Sequence, residues 1–491
     1  MTSDRDGLRA LAVAFATAGL CAGASYLHPA GEPYRPWVPG DPVPVLAALL
    51  PRTEARVVER AGGELVVAPS PEVAATAPSV PVTLAAGTTL PPRPPGVATP
   101  LVDAGDRGMD PFYRALHGAA AGEGIARASH WGDSTIAADG ITSTVRARLQ
   151  ARFGDGGPGY LSAGMDPRWS VRSDVIAGRQ GAWDTVSLLN GGGGGRYGFG
   201  GIASTAQADA WLTIRSPKRG DAHVPMHHFE LWYQVGPERG SWWASVDGKG
   251  VGGGSALAEN PGDRWHVVDV PDGYVKAAIG ASGGPVTFYG VVMETKGPGV
   301  TWDALGVVGV GSRSFTQHGR RHIQQQVERR APDLLVVQLG GNELGWPILA
   351  QGDGSAYVPY FQEALHKLRA GAPEAGCLIV TPLDQGTRDG GAPATKPSLP
   401  RLVSAQRKVA ELEGCAFWDA YAAMGGSGSV VRWSQMRPPL AWADLVHLSA
   451  AGQDIVGQLL ADAIEAGYDA WVASGGPARP RPAAPGVAAT P

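Results

Sequence analysis

The plainest hydrophobic signal is Leu334-Leu-Val-Val-Gln-Leu339, an apolar run without a charge, the pattern of a strand buried on both faces. Two shorter runs, Leu378 to Val380 and Ala416 to Trp418, read the same way. Upstream, Ile125 to His130 reads as a strand leading into Gly132-Asp133-Ser134, and Ile141 to Leu149 has helical spacing of apolar residues. A further helix is predicted from about Gln453 to Ala466. Strands alternating with helices predict an α/β fold, a parallel sheet covered on both faces as three layers.

Between about Asp166 and Glu294 the period changes. Short alternating runs separated by Gly, Pro and Asp appear at Ala210–Ile214, Phe229–Val235, Trp242–Val246, Trp265–Val270 and Val286–Val292. Close spacing with turn residues predicts an all-β sandwich inserted into the α/β domain. Seven of fifteen Trp residues fall there: Trp169, Trp183, Trp211, Trp232, Trp242, Trp243 and Trp265. They read mostly as sandwich core, with a sugar platform as the alternative. Gly154 to Gly159 reads as a connector, because no Lys-Ser/Thr pair follows to make a phosphate loop.

The ends differ again. Ala10 to Leu27 carries no charge and reads as a signal segment or a single N-terminal membrane anchor. Pro-rich sequence follows, and the C-terminus has the same character. The expected organisation is a leader over 1–28, a linker over 29–105, the α/β domain over 106–164 and 297–473, the β insert over 165–296, and a disordered tail over 474–491. A formal net charge of -4 with no basic run argues against a nucleic-acid partner. Cys377 and Cys415 each open a short apolar run. They read as two buried free thiols, since a bridge would need those runs to be neighbouring strands with special geometry.

Four short motifs carry candidate chemistry. Gly132-Asp133-Ser134, between a strand and a helix, offers a hydroxyl at a sheet edge, although Asp and Ser also cap helices. Asp444-Leu-Val-His447 sets a carboxylate beside an imidazole whose tautomer it could hold. Gly340-Gly-Asn342-Glu343 follows the buried strand and offers an amide donor; a simple turn is the alternative. Gly309-Val-Gly311-Ser312 offers a backbone donor at Gly311, with Gly309 as fallback. His130 reads as packing beside the first strand, and Trp346 and Trp442 as candidate walls of an acyl pocket. His227-His228 lacks a third ligand at usable spacing, so neither a metal nor a cofactor is expected.

Taken in order, these blocks resemble those of the SGNH (GDSL) hydrolases over about 110–160 and 300–470. The resemblance implies a three-layer, flavodoxin-like α/β/α fold and hydrolysis, or sometimes transfer, of ester-linked acyl groups. It implies Ser134 as nucleophile, His447 as base and Asp444 as its orienting acid. The implied oxyanion hole is the Ser134 and Gly311 N–H groups with the Asn342 side chain. Phe229-Glu-Leu-Trp-Tyr233, Ser245-Val-Asp-Gly248, Gly290-Val-Val-Met-Glu294 and Gly297 to Gly306 resemble the β module of bacterial peptidoglycan O-acetylesterases, which resembles a carbohydrate-binding fold. Thr135 and Val310 depart from common family residues and bear on substrate identity. The expected activity is removal of small acyl groups, acetyl foremost, from a cell-wall or extracellular glycan. Glycan O-acetyl transfer and an inactive carbohydrate-binding surface protein are the alternatives.

Overall fold

The computed structural model describes residues 96–103, 108–163, 171–388 and 391–478. The expected leader, most of the linker and tail, and Trp169 lie outside the described residues. The chain divides into Met1–Pro78 and Ser79–Pro491, and every described residue belongs to the second unit.

Five strands form one parallel sheet: β1 (Ile125–Gly132), β2 (Gly299–Gly306), β3 (Leu334–Gln338), β4 (Gly376–Val380) and β5 (Ala416–Trp418). Their order is 2-1-3-4-5, the flavodoxin-like order. Successive side chains on a strand point to opposite faces. Leu334 and Val336 therefore join one core, with the helices α1 (Asp110–Ala120), α2 (Gly140–Phe153) and α6 (Ala450–Ala473). Leu335 and Val337 join the other, with α3 (Arg320–Arg330), α4 (Val358–Arg369) and α5 (Leu399–Glu413). Every residue of β3 is buried because both faces are covered.

The crossover from β1 to β2 carries the β module. One antiparallel sheet runs, in spatial order, Lys249–Ser255, Ser241–Val246, Lys276–Ser282, Trp211–Arg215 and Ile176–Gln180. The other runs Gly262–Tyr274, Met226–Val235, Val286–Glu294, Ile202–Ala206 and Trp183–Ser187. The expected connector Gly154–Gly159 leads into the strand Gly159–Ser162, which pairs with Met293 to Gly290 of this second sheet. Leu212, Ile214 and Ile279 from the first sheet share a core with Phe229, Leu231 and Val291 from the second. The opposite face of the second sheet places Tyr160, Trp232 and Tyr289 in the core that also holds Leu335 and Phe361. Val286–Glu294 is buried at every position for that reason. Trp232 and Trp242 are core, whereas Trp211 is exposed.

Buried charge ties the module to the α/β domain. Arg330 of α3 donates to Glu294 at the end of the module (2.7 Å) and to Asp303 of β2 (2.8 Å). Glu294 also takes Arg127 of β1 at 2.7 Å. Burial alone would raise the Glu294 carboxyl, but the two guanidinium groups reverse this and hold it down at about 2.

The expectation of two free thiols is corrected: Cys377 and Cys415 form a disulfide. Parallel pairing of β4 and β5 brings the residues just before Leu378 and Ala416 side by side, with Cα atoms 4.7 Å apart. That lies inside the bridging range of about 4.4–6.8 Å.

Two stability outcomes follow. Arg330→Met leaves two buried carboxylates short of a partner and is expected to cost about 3–5 kcal/mol in denaturant unfolding. Replacing Cys377 and Cys415 together by Ala is expected to cost about 2–5 kcal/mol by the same measurement.

Candidate active site

Sterics seat Ser134. A Cβ at Gly132, the last residue of β1, would lie 2.3 Å from Ile136 Cγ1. A Cβ at Gly306, its partner at the end of β2, would lie 1.9 Å from the Ala137 backbone nitrogen. Two glycines side by side therefore let the short helix Ser134–Ala137 cross directly over the strand ends. Asp133 caps this helix, its Oδ1 accepting from the Thr135 N–H at 2.9 Å. Ser134 is thereby held at the C-terminal edge of the sheet, beside the point where the strand order reverses and ligands of such sheets bind.

His447 and Asp444 reach the same edge from the loop ahead of α6. The Ser134 Oγ lies 3.2 Å from His447 Nε2, and His447 Nδ1 lies 2.8 Å from Asp444 Oδ2. The other Asp444 oxygen accepts from the Val446 N–H (2.9 Å) and the His447 N–H (3.1 Å). Between them Leu445 adopts φ +58° and is 2% exposed, so a buried apolar anchor holds the loop in a strained backbone conformation. Partial burial works to raise the Asp444 carboxyl, but the His447 ring and the two amides outweigh it and hold it below the usual range. A carboxylate in this place selects the Nδ1–H tautomer, which turns a basic Nε2 toward the serine. Both side chains stay half-exposed, His447 at 51% and Asp444 at 48%.

The other expected residues arrive on the loops after β2 and β3. Asn342 Nδ2 donates to the Val310 carbonyl at 2.8 Å and lies 3.4 Å from Asp133 Oδ2. The Gly311 N–H points to Ser314 Oγ at 3.3 Å. Gly309 takes φ +82°, a left-handed turn that glycine makes without strain. His130 is fully buried in β1, edge-on to Trp302, and burial lowers its imidazole to about 3. Trp346 packs against Tyr357 and Tyr360 on the loop after β3. Trp442 is 52% exposed, and its N–H donates to the His447 carbonyl. His228 pairs with Asp269 across the module sheet. Among the described residues no group of three or more His, Cys, Asp or Glu is placed to hold a metal ion.

One participant was not anticipated. Glu343, next to Asn342, is fully buried, and its Oε1 accepts from the Ser312 N–H (2.6 Å) and Ser312 Oγ (2.8 Å). Its carboxyl also lies against Gly311, where a Cβ would come within 2.6 Å of Glu343 Cδ. Glu343 thus braces the loop after β2 from behind. Burial pushes its carboxyl up to about 7, opposed by the Ser312 donors and reinforced by Asp133. An acid directly after a turn motif gave no sign in the sequence that it would be buried.

Hydroxyl, imidazole and carboxylate in series at this edge can move a proton as the oxygen attacks an acyl carbon. The class so defined is an ester hydrolase. Residues 271–455 match the model of the GDSL-like lipase/acylhydrolase family. The fold of the chain is similar to that of a solved peptidoglycan O-acetylesterase, with 23% identity, a TM-score of 0.63, and coverage of 75% of this chain and 99% of that one. Two more distant structures cover less of the chain. A family two carbohydrate esterase from Clostridium thermocellum, in complex with cellohexaose, has 12% identity, a TM-score of 0.26, and coverage of 60% and 100%. A catalytic mutant of an acetylxylan esterase from Geobacillus stearothermophilus has 20% identity, a TM-score of 0.25, and coverage of 34% and 73%. Only the first likeness carries the fold. No curated protein matches the chain in sequence.

Glu343 has a measurable signature. The folded protein keeps its proton to about pH 7, while the unfolded chain releases it near pH 4.3. Stability is therefore expected to fall as pH rises through that window, by about 4 kcal/mol, and to level off above it. Unfolding followed across pH 4–8 should show Glu343→Gln flattening this slope.

Proposed function

We propose that this protein is an exported serine esterase that removes O-linked acetyl groups from a cell-wall glycan, peptidoglycan foremost. The observation that carries the reading is the hydrogen-bonded series Ser134–His447–Asp444 at the sheet edge. In the proposed mechanism Ser134 Oγ attacks the acetyl carbonyl while His447 Nε2 takes its proton. His447 then passes that proton to the departing sugar oxygen, leaving an acetyl-serine. Water attacks this ester with His447 again as base, and acetate leaves. Asp444 keeps the imidazole in register and stabilises its charged form. The Ser134 N–H, the Gly311 N–H and the Asn342 amide are the proposed oxyanion donors. Gly311 and Asn342 exchange their present contacts with Ser314 Oγ and Asp133 for the oxyanion.

The acetyl and glycan parts draw support from the fold shared with a peptidoglycan O-acetylesterase. Export draws support from the apolar segment Ala10–Leu27 and from the Cys377–Cys415 bridge, since disulfides persist in oxidising compartments. The exposure of His447 and Asp444 favours hydrolysis over transfer, because water reaches the imidazole freely.

The test compares wild type with Ser134→Ala on p-nitrophenyl acetate and on O-acetylated peptidoglycan, with released acetate as the second readout. A loss of at least about 10³-fold in kcat on both substrates is expected. Unchanged turnover in the variant would remove Ser134 from the mechanism.

A further inference from the structure

Beside the proposed site stands a cation without an ionic partner. Gly311 caps the 3₁₀ helix Ser312–Gln317, and Arg313 is its second residue. A rise of about 2 Å per residue keeps Arg313 within one turn of Gly311. Its side chain is exposed, and its guanidinium lies 5.5 Å from the Trp346 ring centre and 5.6 Å from that of Tyr360. The two rings meet edge to face at 5.7 Å. Trp346 itself stands four residues beyond Asn342, on the loop after β3. The stack thus bridges the two loops that bear Gly311 and Asn342.

Other arginines do find acids, as Arg320 pairs with Glu363 and Arg329 with Glu230, whereas Arg388 donates to the Ala443 carbonyl. Among the described residues no carboxylate lies within ion-pair distance of Arg313. An aromatic face satisfies the flat side of a guanidinium and leaves its N–H edge open. That edge matches a carboxylate in two parallel hydrogen bonds, and stacking reduces the freedom lost when they form. The adjoining Trp346 and Tyr360 rings supply apolar surface that suits the C–H face of a sugar.

We infer that Arg313, seated on Trp346 and Tyr360, is a specificity subsite for a glycan whose acetylated sugar, or the sugar next to it, carries a free carboxylate. This rests on the esterase reading of the neighbouring site and names its substrate class. Two sources share that chemistry: the lactyl carboxylate of a peptide-free muramic acid, and the ring carboxylate of a uronic acid.

The test uses the full chain, Arg313→Gln and Arg313→Lys. Substrates are O-acetylated peptide-free muramyl glycan, an acetylated uronic-acid oligosaccharide and an acetylated neutral xylooligosaccharide. The readout is the ratio of kcat/KM for each carboxylated substrate to that for the neutral one. Arg313→Gln should lower the ratio about 10–100-fold for one carboxylated source, chiefly through KM, with partial recovery in Arg313→Lys. The source that loses more is the one the subsite reads. Equal losses on carboxylated and neutral substrates, or no loss on either carboxylated one, would overturn the inference. Binding of the same oligosaccharides without acetyl groups to Ser134→Ala, with and without Arg313→Gln, decides the matter apart from turnover. Weaker binding of a carboxylated chain alone supports the subsite even if no ester is cleaved, and identical binding refutes it.

Discussion

The close approach of a helix to two strand ends is the constraint on which the site depends. Gly132 and Gly306 sit opposite each other at the ends of β1 and β2, and neither has room for a methyl group. Remove that clearance and the helix beginning at Ser134 must lift off the sheet. The Ser134–His447 contact, at 3.2 Å, would not survive such a shift. The geometry of the candidate site is a consequence of backbone packing, set before any side-chain chemistry begins.

The β module is a part of the same body of packing. Its second sheet has one face in the sandwich core and the other in the core of the α/β domain. Arg330, pairing with Glu294 and Asp303, and Glu294, pairing with Arg330 and Arg127, then close the seam. Buried ions of this kind contribute little net stability, yet they punish misalignment, because a displaced strand would strand a charge in the interior. They define where the module's last strand ends and β2 begins.

Two carboxyls shape the electrostatics behind the candidate oxyanion loops. Burial raises both Asp133 and Glu343, and Asp133 adds to the cost of ionising Glu343. Glu343 lies against Gly311, and its Oε1 orders Ser312. On the solvent side Arg313 supplies the opposite charge. The loops after β2 and β3 therefore have carboxyls of raised pKa beneath and a cation above.

Much of this was legible along the chain. Apolar continuity marked β3 as buried on both faces, and alternation marked Phe229–Val235 and Val286–Val292 as strands, because side-chain period and burial are local properties of a strand. In the structure Ser134 stands just after β1, Gly311 and Asn342 on the loops after β2 and β3, and Asp444 and His447 on the loop ahead of α6. Lys249–Ser255 escaped notice because its glycines carry no hydrophobic pattern, and Gly159–Ser162 because a short strand is made by its partner. The Cys377–Cys415 bridge depended on β4 and β5 being neighbours in register. Glu343 and Arg313 are equally plain acids and bases in the sequence. Only the tertiary structure decided that one is buried with its pKa raised while the other rests on two aromatic rings, since desolvation and partner choice are properties of what surrounds a residue in space.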